Sequence, residues 1–178
     1  GILMFDGGIK SSGTVSLTSM SKQLIEDVEE ILRLDGIEVN KKYNPKKKSW
    51  LIESKSGRNK EYLKKWLYYF EEGTWKYKRL KFFIENRKYN IKELEYLFPH
   101  HHRSKIKLKD VYDVMRKVKS GKIQDIVSEL DKFKISPVTI YKYLHILDKS
   151  RLLQKEIEYH VGPKNGWQET VYKINGNL

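Results

Sequence analysis

The chain has 178 residues and a formal net charge of +13, from 36 lysine and arginine residues against 23 aspartate and glutamate residues. This length allows one or two small domains with buried cores. The charge favours a polyanionic partner, and nucleic acid is favoured over a membrane because no apolar run approaches the roughly 18 residues of a spanning helix. Cysteine is absent, which excludes a disulfide framework and thiolate metal ligands. We expect a cytoplasmic protein.

The first residues form an apolar run that ends in a carboxylate and two glycines, Ile2-Leu-Met-Phe-Asp-Gly-Gly8. Glycine breaks a helix or turns a chain, so the pattern predicts a short helix that ends at Asp6-Gly7-Gly8. A strand is expected to begin at Ile9. After a turn, alternating residues 14–18 predict a second strand, with hydroxyl side chains on its outer face.

The next predicted element is an amphipathic helix that begins near Ser21. Either Ser19 or Ser21 can cap its first turn, and Gly36 is expected to end it. Its apolar stripe follows the 3.6-residue period and consists of Leu24, Ile25, Val28, Ile31 and Leu32. We therefore expect one buried and one exposed face.

A second hairpin and another helix complete the predicted first domain, residues 1–86. The hairpin joins residues 37–43 to residues 49–54 through the turn Asn44-Pro45-Lys46. The helix covers residues 59–72. The inner faces of these elements are formed by Ile37, Val39, Trp50, Ile52, Leu63, Trp66, Leu67 and Phe70. The predicted order is helix, two strands, helix, two strands, helix.

This order and the Asp6 segment resemble the LAGLIDADG homing endonucleases. In that family a glycine lies five residues before the metal-binding carboxylate, another glycine follows it, and a β-residue comes two positions later. Four positions fit this frame, namely Gly1, Asp6, Gly7 and Ile9. The resemblance implies that Asp6 is catalytic and holds Mg²⁺, helped by the carbonyl of Phe5. Mg²⁺ there would polarise the scissile phosphate and activate a water.

Two departures from the family motif leave alternatives open. Met4 stands where the motif has an earlier acidic residue, and Phe5 stands where a small residue usually lets paired helices approach. A competing frame makes Asp6 that earlier acidic residue and puts Gly8 at the catalytic position, which would leave an inactive site. Asp6 can also simply cap a helix end. One repeat supplies one carboxylate, so cutting both strands requires a homodimer or a second repeat.

The resemblance also implies a four-stranded saddle that grips the major groove of DNA. Its lysines would contact phosphates and position the duplex without reading its sequence. Glu38 would lie beside them on the same strand as two of the polar side chains. The predicted DNA contacts of this domain are Lys10, Thr14, Ser16, Thr18, Asn40, Lys42, Lys46, Lys47 and Lys48.

A helical linker is predicted over residues 87–107. A helix over residues 76–86 leads into it, and a shorter helix over residues 91–98 follows. His100-His101-His102 is interpreted as exposed, because three consecutive histidines cannot comfortably ligate one metal and no acidic or cysteine partner lies near. The family often has a basic residue near the end of the repeat, but a solvated helix face is the favoured interpretation of Lys76, Lys78 and Lys81.

Residues 108–178 predict three helices followed by a hairpin, which resembles a winged helix-turn-helix domain. The third helix starts at Ser136-Pro137, where serine can cap the helix and proline suits its first position. The segment up to Leu147 fits the recognition helix of that fold. The expected elements are helices over 110–118, over 122–131 and from 137 onward, and strands over 155–161 and 168–174.

In that fold the third helix enters the major groove. Thr139, Lys142 and Tyr143 are predicted to contact DNA, because they lie opposite the apolar stripe of the helix. Lys164 and Asn165 at the tip of the wing would reach phosphate or the minor groove. The residues after Asn86 contain 19 basic and 11 acidic side chains, a net charge of +8, which favours DNA over a protein partner.

The sequence thus predicts an α+β chain, with one LAGLIDADG α-β-β-α-β-β-α repeat followed by a winged helix-turn-helix domain. The predicted partner is double-stranded DNA. We expect a Mg²⁺-dependent endonuclease that acts as a homodimer or with a second repeat. The alternative is a catalytically decayed relative that regulates by binding specific DNA sequences. An RNA-processing role ranks last, because the narrow major groove of RNA suits a saddle poorly.

Overall fold

The computed structural model describes residues 7–55, 60–99, 105–130, 133, 135–161 and 167–176. Over these ranges the chain is mixed α+β, with several helices and two antiparallel sheets. The chain divides into two compact units, one up to Asn86 and one from Arg87 onward. No helix in the described ranges is long and apolar enough to cross a lipid bilayer.

The first unit builds a four-stranded sheet from two hairpins. Its strand order is β1-β2-β4-β3, and every neighbouring pair is antiparallel. The pairing of β2 with β4 therefore joins the hairpins at the centre of the sheet. The described elements are β1 (Gly7–Ile9), β2 (Val15–Ser19), α1 (Lys22–Leu34), β3 (Val39–Asn44), β4 (Ser49–Ser54), α2 (Lys60–Leu67) and α3 (Trp75–Ile84).

Gly7 and Gly8 lie in strand β1, so the predicted helix end at these glycines is wrong. Gly7 pairs with Leu17, and Gly8 pairs with Ser16. Glycine accepts an extended backbone as readily as a turn, and here the ladder to β2 decides the conformation. The Ser16 hydroxyl donates a hydrogen bond to the Gly8 carbonyl at 3.5 Å. The predicted helix before Gly7 lies outside the described residues.

Helix α1 packs on one side of the sheet through a narrower stripe than the sequence predicts. Its N-cap is Ser21, whose hydroxyl accepts a hydrogen bond from the Leu24 N–H at 3.2 Å. Gly36 follows the helix with φ of 66°, a conformation that favours glycine. Ile31 is 52% exposed and does not belong to the buried face. The buried residues of the helix are Ile25, Val28 and Leu32.

The hairpin between β3 and β4 forms at the predicted turn. The Asn44 side-chain carbonyl accepts hydrogen bonds from the backbone N–H groups of Lys46 and Lys47, at 3.1 and 3.2 Å. Such side-chain to backbone bonds are the reason that asparagine favours turns. Strand β3 begins at Val39, two residues later than predicted.

The predicted helix over residues 59–72 is shorter in the structure, because α2 ends at Leu67. Helix α3 then begins at Trp75, where the Thr74 hydroxyl accepts a hydrogen bond from the Tyr77 N–H at 3.3 Å. The solvated-face interpretation fails for Lys76, which is buried in α3. Helix α3 packs against β1.

The second unit combines helices with a three-stranded sheet of order β5-β7-β6. The sequence does not predict strand β5, because Ser120-Gly121 is typical of a helix end. In the structure Ser120 pairs with Lys173 and Gly121 with Tyr172. The described elements are α4 (Ile91–Leu97), α5 (Leu108–Val118), β5 (Ser120–Lys122), α6 (Ile123–Leu130), α7 (Pro137–Lys149), β6 (Leu153–His160) and β7 (Trp167–Ile174).

The described part of the predicted linker 87–107 belongs to this second unit. Helix α4 packs against α5, and its N-terminus carries a capping box formed by Asn90 and Glu93. The Tyr89 N–H donates a hydrogen bond to the Ser150 carbonyl at 3.2 Å. These contacts make the segment a packed element. His100-His101-His102 lies outside the described residues.

Helix α7 begins at Pro137, as predicted. The side chain of Ser136 makes no capping hydrogen bond, contrary to the prediction. The backbone carbonyl of Ser136 accepts a hydrogen bond from the Thr139 N–H at 2.9 Å. Proline at the first helical position is already set in the helical conformation. The predicted stripe of Ile140, Leu144 and Leu147 is buried, together with Ile146.

Candidate nucleic-acid interface

The register of the first sheet aligns side chains in rows on its outer face. The opposite face is buried and includes Ile9, Val15, Leu17 and Ile52. Because β-strand side chains alternate between faces, residues paired across strands share one face. One outer row is Gly8, Ser16, Glu53 and Asn40. The next row is Thr18, Leu51 and Lys42.

These rows bring predicted DNA contacts from different strands together. Ser16 and Asn40 lie in the same row, separated by Glu53. Thr18 and Lys42 lie in the next row, on either side of Leu51, and both are exposed. Glu53 and Leu51 are not among the residues that the sequence analysis assigns to this face. The alternation of β4 indicates their position, because both lie one residue away from the buried Ile52.

Lys10 and Thr14 stand at the β1–β2 turn beside the first row. The Lys10 N–H donates a hydrogen bond to the Thr14 carbonyl at 2.9 Å. The Lys10 ammonium forms an ion pair with the Glu53 carboxylate across the sheet. At the end of the β3–β4 hairpin away from its turn, Lys55 contacts Glu38 at 2.9 Å. This hydrogen bond lowers the pKa of the Glu38 carboxyl.

Adjacent lysines of β3 have different surroundings because they point to opposite faces. Lys41 lies on the helix side, where its ammonium pairs with the carboxylates of Glu26 and Glu29. The hydrogen bond to Glu29 raises the pKa of Lys41. Lys42 is exposed on the outer face. Within the described part of the chain, no ion pair involves the predicted phosphate contacts Lys42, Lys46, Lys47 and Lys48.

The predicted metal ligand Asp6 lies outside the described residues. Among the described residues, no group of three or more histidine, aspartate or glutamate side chains is arranged to hold a metal ion. A site that takes one carboxylate from each of two repeats does not require such a group within one chain. Lys76, one of the basic residues that the sequence considers for this region, is buried in α3, and α3 packs against β1.

The exposed face of α7 contains one of the three residues that the sequence predicts there. Lys142 is exposed and opposite the buried stripe, as its position predicts. Thr139 and Tyr143 are only half-exposed, and the Tyr143 hydroxyl donates a hydrogen bond to the Ile106 carbonyl at 3.4 Å. Tyr143 is therefore a packing residue in this arrangement. The other exposed residues of the face are Val138, Tyr141 and His145.

Val138 and Tyr141 are the residues that sequence reasoning missed on α7. They are 60% and 51% exposed, one turn apart, and the helix period places both beside Lys142. The sequence signal for their exposure is helical spacing. Val138, Tyr141, Lys142 and His145 are three or four residues apart and so share the face opposite the buried stripe. Their apolar character obscured that signal, because apolar residues are usually assigned to the core.

The predicted wing is a hairpin of β6 and β7, with aromatic residues at the end where the two strands are connected. His160 pairs with Trp167, and their rings stack with centroids 5.1 Å apart. Tyr159 is also exposed. The carboxylate of Glu169 contacts Lys122 at 2.8 Å and His160 at 3.2 Å. The predicted wing-tip contacts Lys164 and Asn165 lie outside the described residues.

A cleft of about 650 Å³ opens beside the first turn of α7. Residues of α6, α7 and β7 line it, among them Gln124, Tyr141 and Gln168. The sequence does not predict this cleft, because its residues come from elements that are far apart along the chain.

Two surfaces therefore hold the described candidate residues, the outer face of the first sheet and the exposed face of α7. Exposed lysine occurs on both, with hydroxyl and amide groups on the sheet and tyrosine on the helix. Comparison of the chain with protein-family models, with curated proteins and with solved structures found no match.

Proposed function

We propose that the chain binds double-stranded DNA through two surfaces. The first is the outer face of the four-stranded sheet, and the second is the exposed face of α7 with the neighbouring hairpin. The observation that carries the proposal is the alignment of Ser16, Asn40, Thr18 and Lys42 in two adjacent rows of one sheet. A net charge of +13 supplies long-range attraction for a polyanion.

The dimensions of a sheet suit this role. The major groove is about 12 Å wide and admits a β-ribbon, and neighbouring strands lie about 4.8 Å apart. Hydroxyl and amide side chains in one row can therefore reach adjacent base edges. The lysines of the β3–β4 turn are exposed, and in this proposal they would contact phosphates.

The order of elements supports a LAGLIDADG-type repeat for the first unit. From Gly7 onward it runs strand, strand, helix, strand, strand, helix, helix. The sequence frame at Asp6 and Gly7 adds the family's metal-binding position immediately before the first strand. In this proposal the antiparallel sheet with β2 and β4 at its centre would form the saddle that the resemblance implies.

The second unit supports a winged helix-turn-helix domain. Its described order is helix, short strand, helix, helix and hairpin after α4. The short strand β5 completes a three-stranded sheet with the hairpin. Helix α7 stands third after α4 and presents Lys142 at the centre of its exposed face, which is where such a domain reads the major groove.

DNA cleavage is a second candidate function, favoured by the frame at Asp6. In this reading Asp6 holds Mg²⁺, which would supply Lewis-acid activation of the phosphate and of a water. Two copies of the chain, or one copy and a second repeat, would each contribute one carboxylate. Without such a partner the protein would bind DNA and regulate without cutting.

Equilibrium binding to matched duplexes tests the primary proposal. Fluorescence anisotropy should give tighter binding to a mixed-sequence DNA duplex than to the same sequence as duplex RNA, because a saddle does not fit the narrow major groove of RNA. Equal binding to both duplexes would contradict a major-groove mode. Absence of DNA binding would contradict the proposal altogether.

Cleavage is tested separately, on a randomised duplex library with and without Mg²⁺. Metal-dependent cutting by the wild type that is lost in Asp6→Asn supports the endonuclease. Binding without any metal-dependent cutting favours the regulator. Sedimentation of the active protein gives the stoichiometry, and cutting of both strands by a strict monomer would contradict the two-carboxylate arrangement.

A further inference from the structure

We infer that Glu53 is a specificity-determining residue of the sheet face, and that its carboxylate recognises the N4 amino group of cytosine. The inference rests on the proposed DNA-binding function of that face. Glu53 is the next-to-last residue of β4, which is a central strand of the sheet. Its partners in the row are Ser16 on β2 and Asn40 on β3.

The surroundings of Glu53 separate it from an ordinary surface carboxylate. Its side chain is only 17% exposed, although it lies on the outer face of the sheet. The Lys10 ammonium contacts Oε1, which balances the negative charge on a face that meets a polyanion. Within the described ranges no second donor reaches this carboxylate, and Oε2 is not among the enclosed side-chain atoms that lack a partner, so it can accept from a bound molecule.

The chemistry of a carboxylate selects one base edge. An ionised carboxylate only accepts hydrogen bonds, and cytosine presents the N4 amino donor in the major groove. Guanine presents N7 and O6 and thymine presents O4, all of which are acceptors that would face the carboxylate without a hydrogen bond. Adenine has an amino donor, but its N7 acceptor lies directly beside that group and would face the carboxylate without a hydrogen bond. A mostly covered carboxylate rejects unpaired acceptors strongly, because neither group can then be satisfied.

The neighbours in the row extend this recognition. The Asn40 amide carries both donors and acceptors and is suited to adenine, whose N7 and N6 offer the complementary pair. The Ser16 hydroxyl can donate or accept, so it tolerates several bases. Glu53 is therefore the residue of this row that selects a single base.

Selection from a randomised duplex pool tests the inference with three proteins: wild type, Glu53→Gln and Glu38→Gln. Glu38 is the matched control, because it is also a carboxylate paired with a lysine and it directly precedes β3, but its side chain is 73% exposed. Wild type and Glu38→Gln should select a cytosine at one fixed position. Glu53→Gln should lose that preference by about tenfold or more, because the amide can donate as well as accept.

A second measurement varies the DNA, so that its wild-type result does not depend on how a variant folds. Changing the selected C·G pair to T·A should weaken wild-type binding about tenfold or more, whereas Glu53→Gln should bind both duplexes alike. Retention of the cytosine preference by Glu53→Gln would overturn the inference and leave DNA binding intact. Failure of the wild type to bind any duplex would overturn the inference together with the proposed function. Circular dichroism establishes that both variants are folded.

Discussion

The backbone N–H of Lys155 in β6 donates a hydrogen bond to the Asp148 carboxylate in the last turn of α7, at 3.0 Å. The turn between these elements is further fixed by Arg151, whose φ is 63° and whose carbonyl accepts a hydrogen bond from the Asn175 side chain at 3.1 Å. The exposed face of α7 and the β6–β7 hairpin are therefore held in one orientation by contacts within the second unit.

Replacing Asp148 should loosen this connection. Asp148→Ala leaves the Lys155 N–H without its acceptor, and a hydrogen bond to a charged group contributes about 1.5–3 kcal/mol. We expect a loss of about that size in the free energy of unfolding by urea. Asp148→Asn keeps an acceptor oxygen and should lose less. Equal losses in the two variants would show that the acceptor is not what stabilises the turn.

The two tyrosines of α7 should separate by their effects. Tyr143→Phe removes the hydrogen bond to the Ile106 carbonyl, so we expect a loss of about 1 kcal/mol in stability and little change in DNA affinity. Tyr141→Ala removes an exposed side chain and should weaken DNA binding with little effect on folding. The check is urea denaturation and anisotropy on both variants. The reverse assignment would restore Tyr143 as a DNA contact.

Gly36 and Gly73 are two of the glycines of the first unit whose positive φ favours glycine over other residues. Gly36 and Gly73 have φ of 66° and 87°, so alanine at either should cost about 1 kcal/mol in the free energy of unfolding. At Gly36 a Cβ would also lie 3.1 Å from the Lys65 ammonium, whereas at Gly73 it would meet nothing within 4 Å. Gly176→Ala, in open space without a left-handed backbone, is the control and should be neutral.

Stability should fall at alkaline pH because the buried Tyr172 and the half-buried Tyr69 keep their protons in the folded state. Burial, with smaller contributions from Asp148 and Tyr141, raises the pKa of Tyr172 to about 12, and burial and a hydrogen bond to Asp35 raise that of Tyr69 to about 12. Unfolded tyrosine titrates near pH 10. The unfolded state therefore loses its protons first, and stability declines between pH 10 and pH 12.

The measurement is the free energy of unfolding against pH, with tyrosinate absorbance recorded in parallel. Tyr172→Phe should flatten the decline, and Tyr159→Phe, at an exposed position, should leave it unchanged. A decline of equal steepness in Tyr172→Phe would mean that other groups govern alkaline unfolding.

Local signals in the sequence predicted most of the elements. Ser21 and Gly36 bound helix α1, and Asn44 forms the turn between β3 and β4, because each acts on backbone groups a few residues away. The same locality explains the errors. Gly7 and Gly8 are extended, and Ser120 lies in a strand, because pairing with distant strands decides their conformation.

The candidate site was predictable only where a residue's own strand or helix decides its exposure. The alternation of β2 and the period of α7 place Thr18 and Lys142 correctly on exposed faces. The role proposed for Glu53 depends on Lys10, which is 43 positions away in the chain. The partial burial of Tyr143 accompanies a hydrogen bond to the carbonyl of Ile106. Such contacts arise from topology and register and leave no periodic signal.

The salt dependence of duplex DNA binding tests the two-surface account most directly. The logarithm of affinity should fall linearly with the logarithm of salt concentration, and Lys42→Ala and Lys142→Ala should each reduce that slope by about one, the double variant by about two. Lys64→Ala and Lys109→Ala, which remove ion-paired lysines elsewhere in each unit, should leave it unchanged. A double variant with the wild-type slope, or a wild type without duplex binding, would contradict the account.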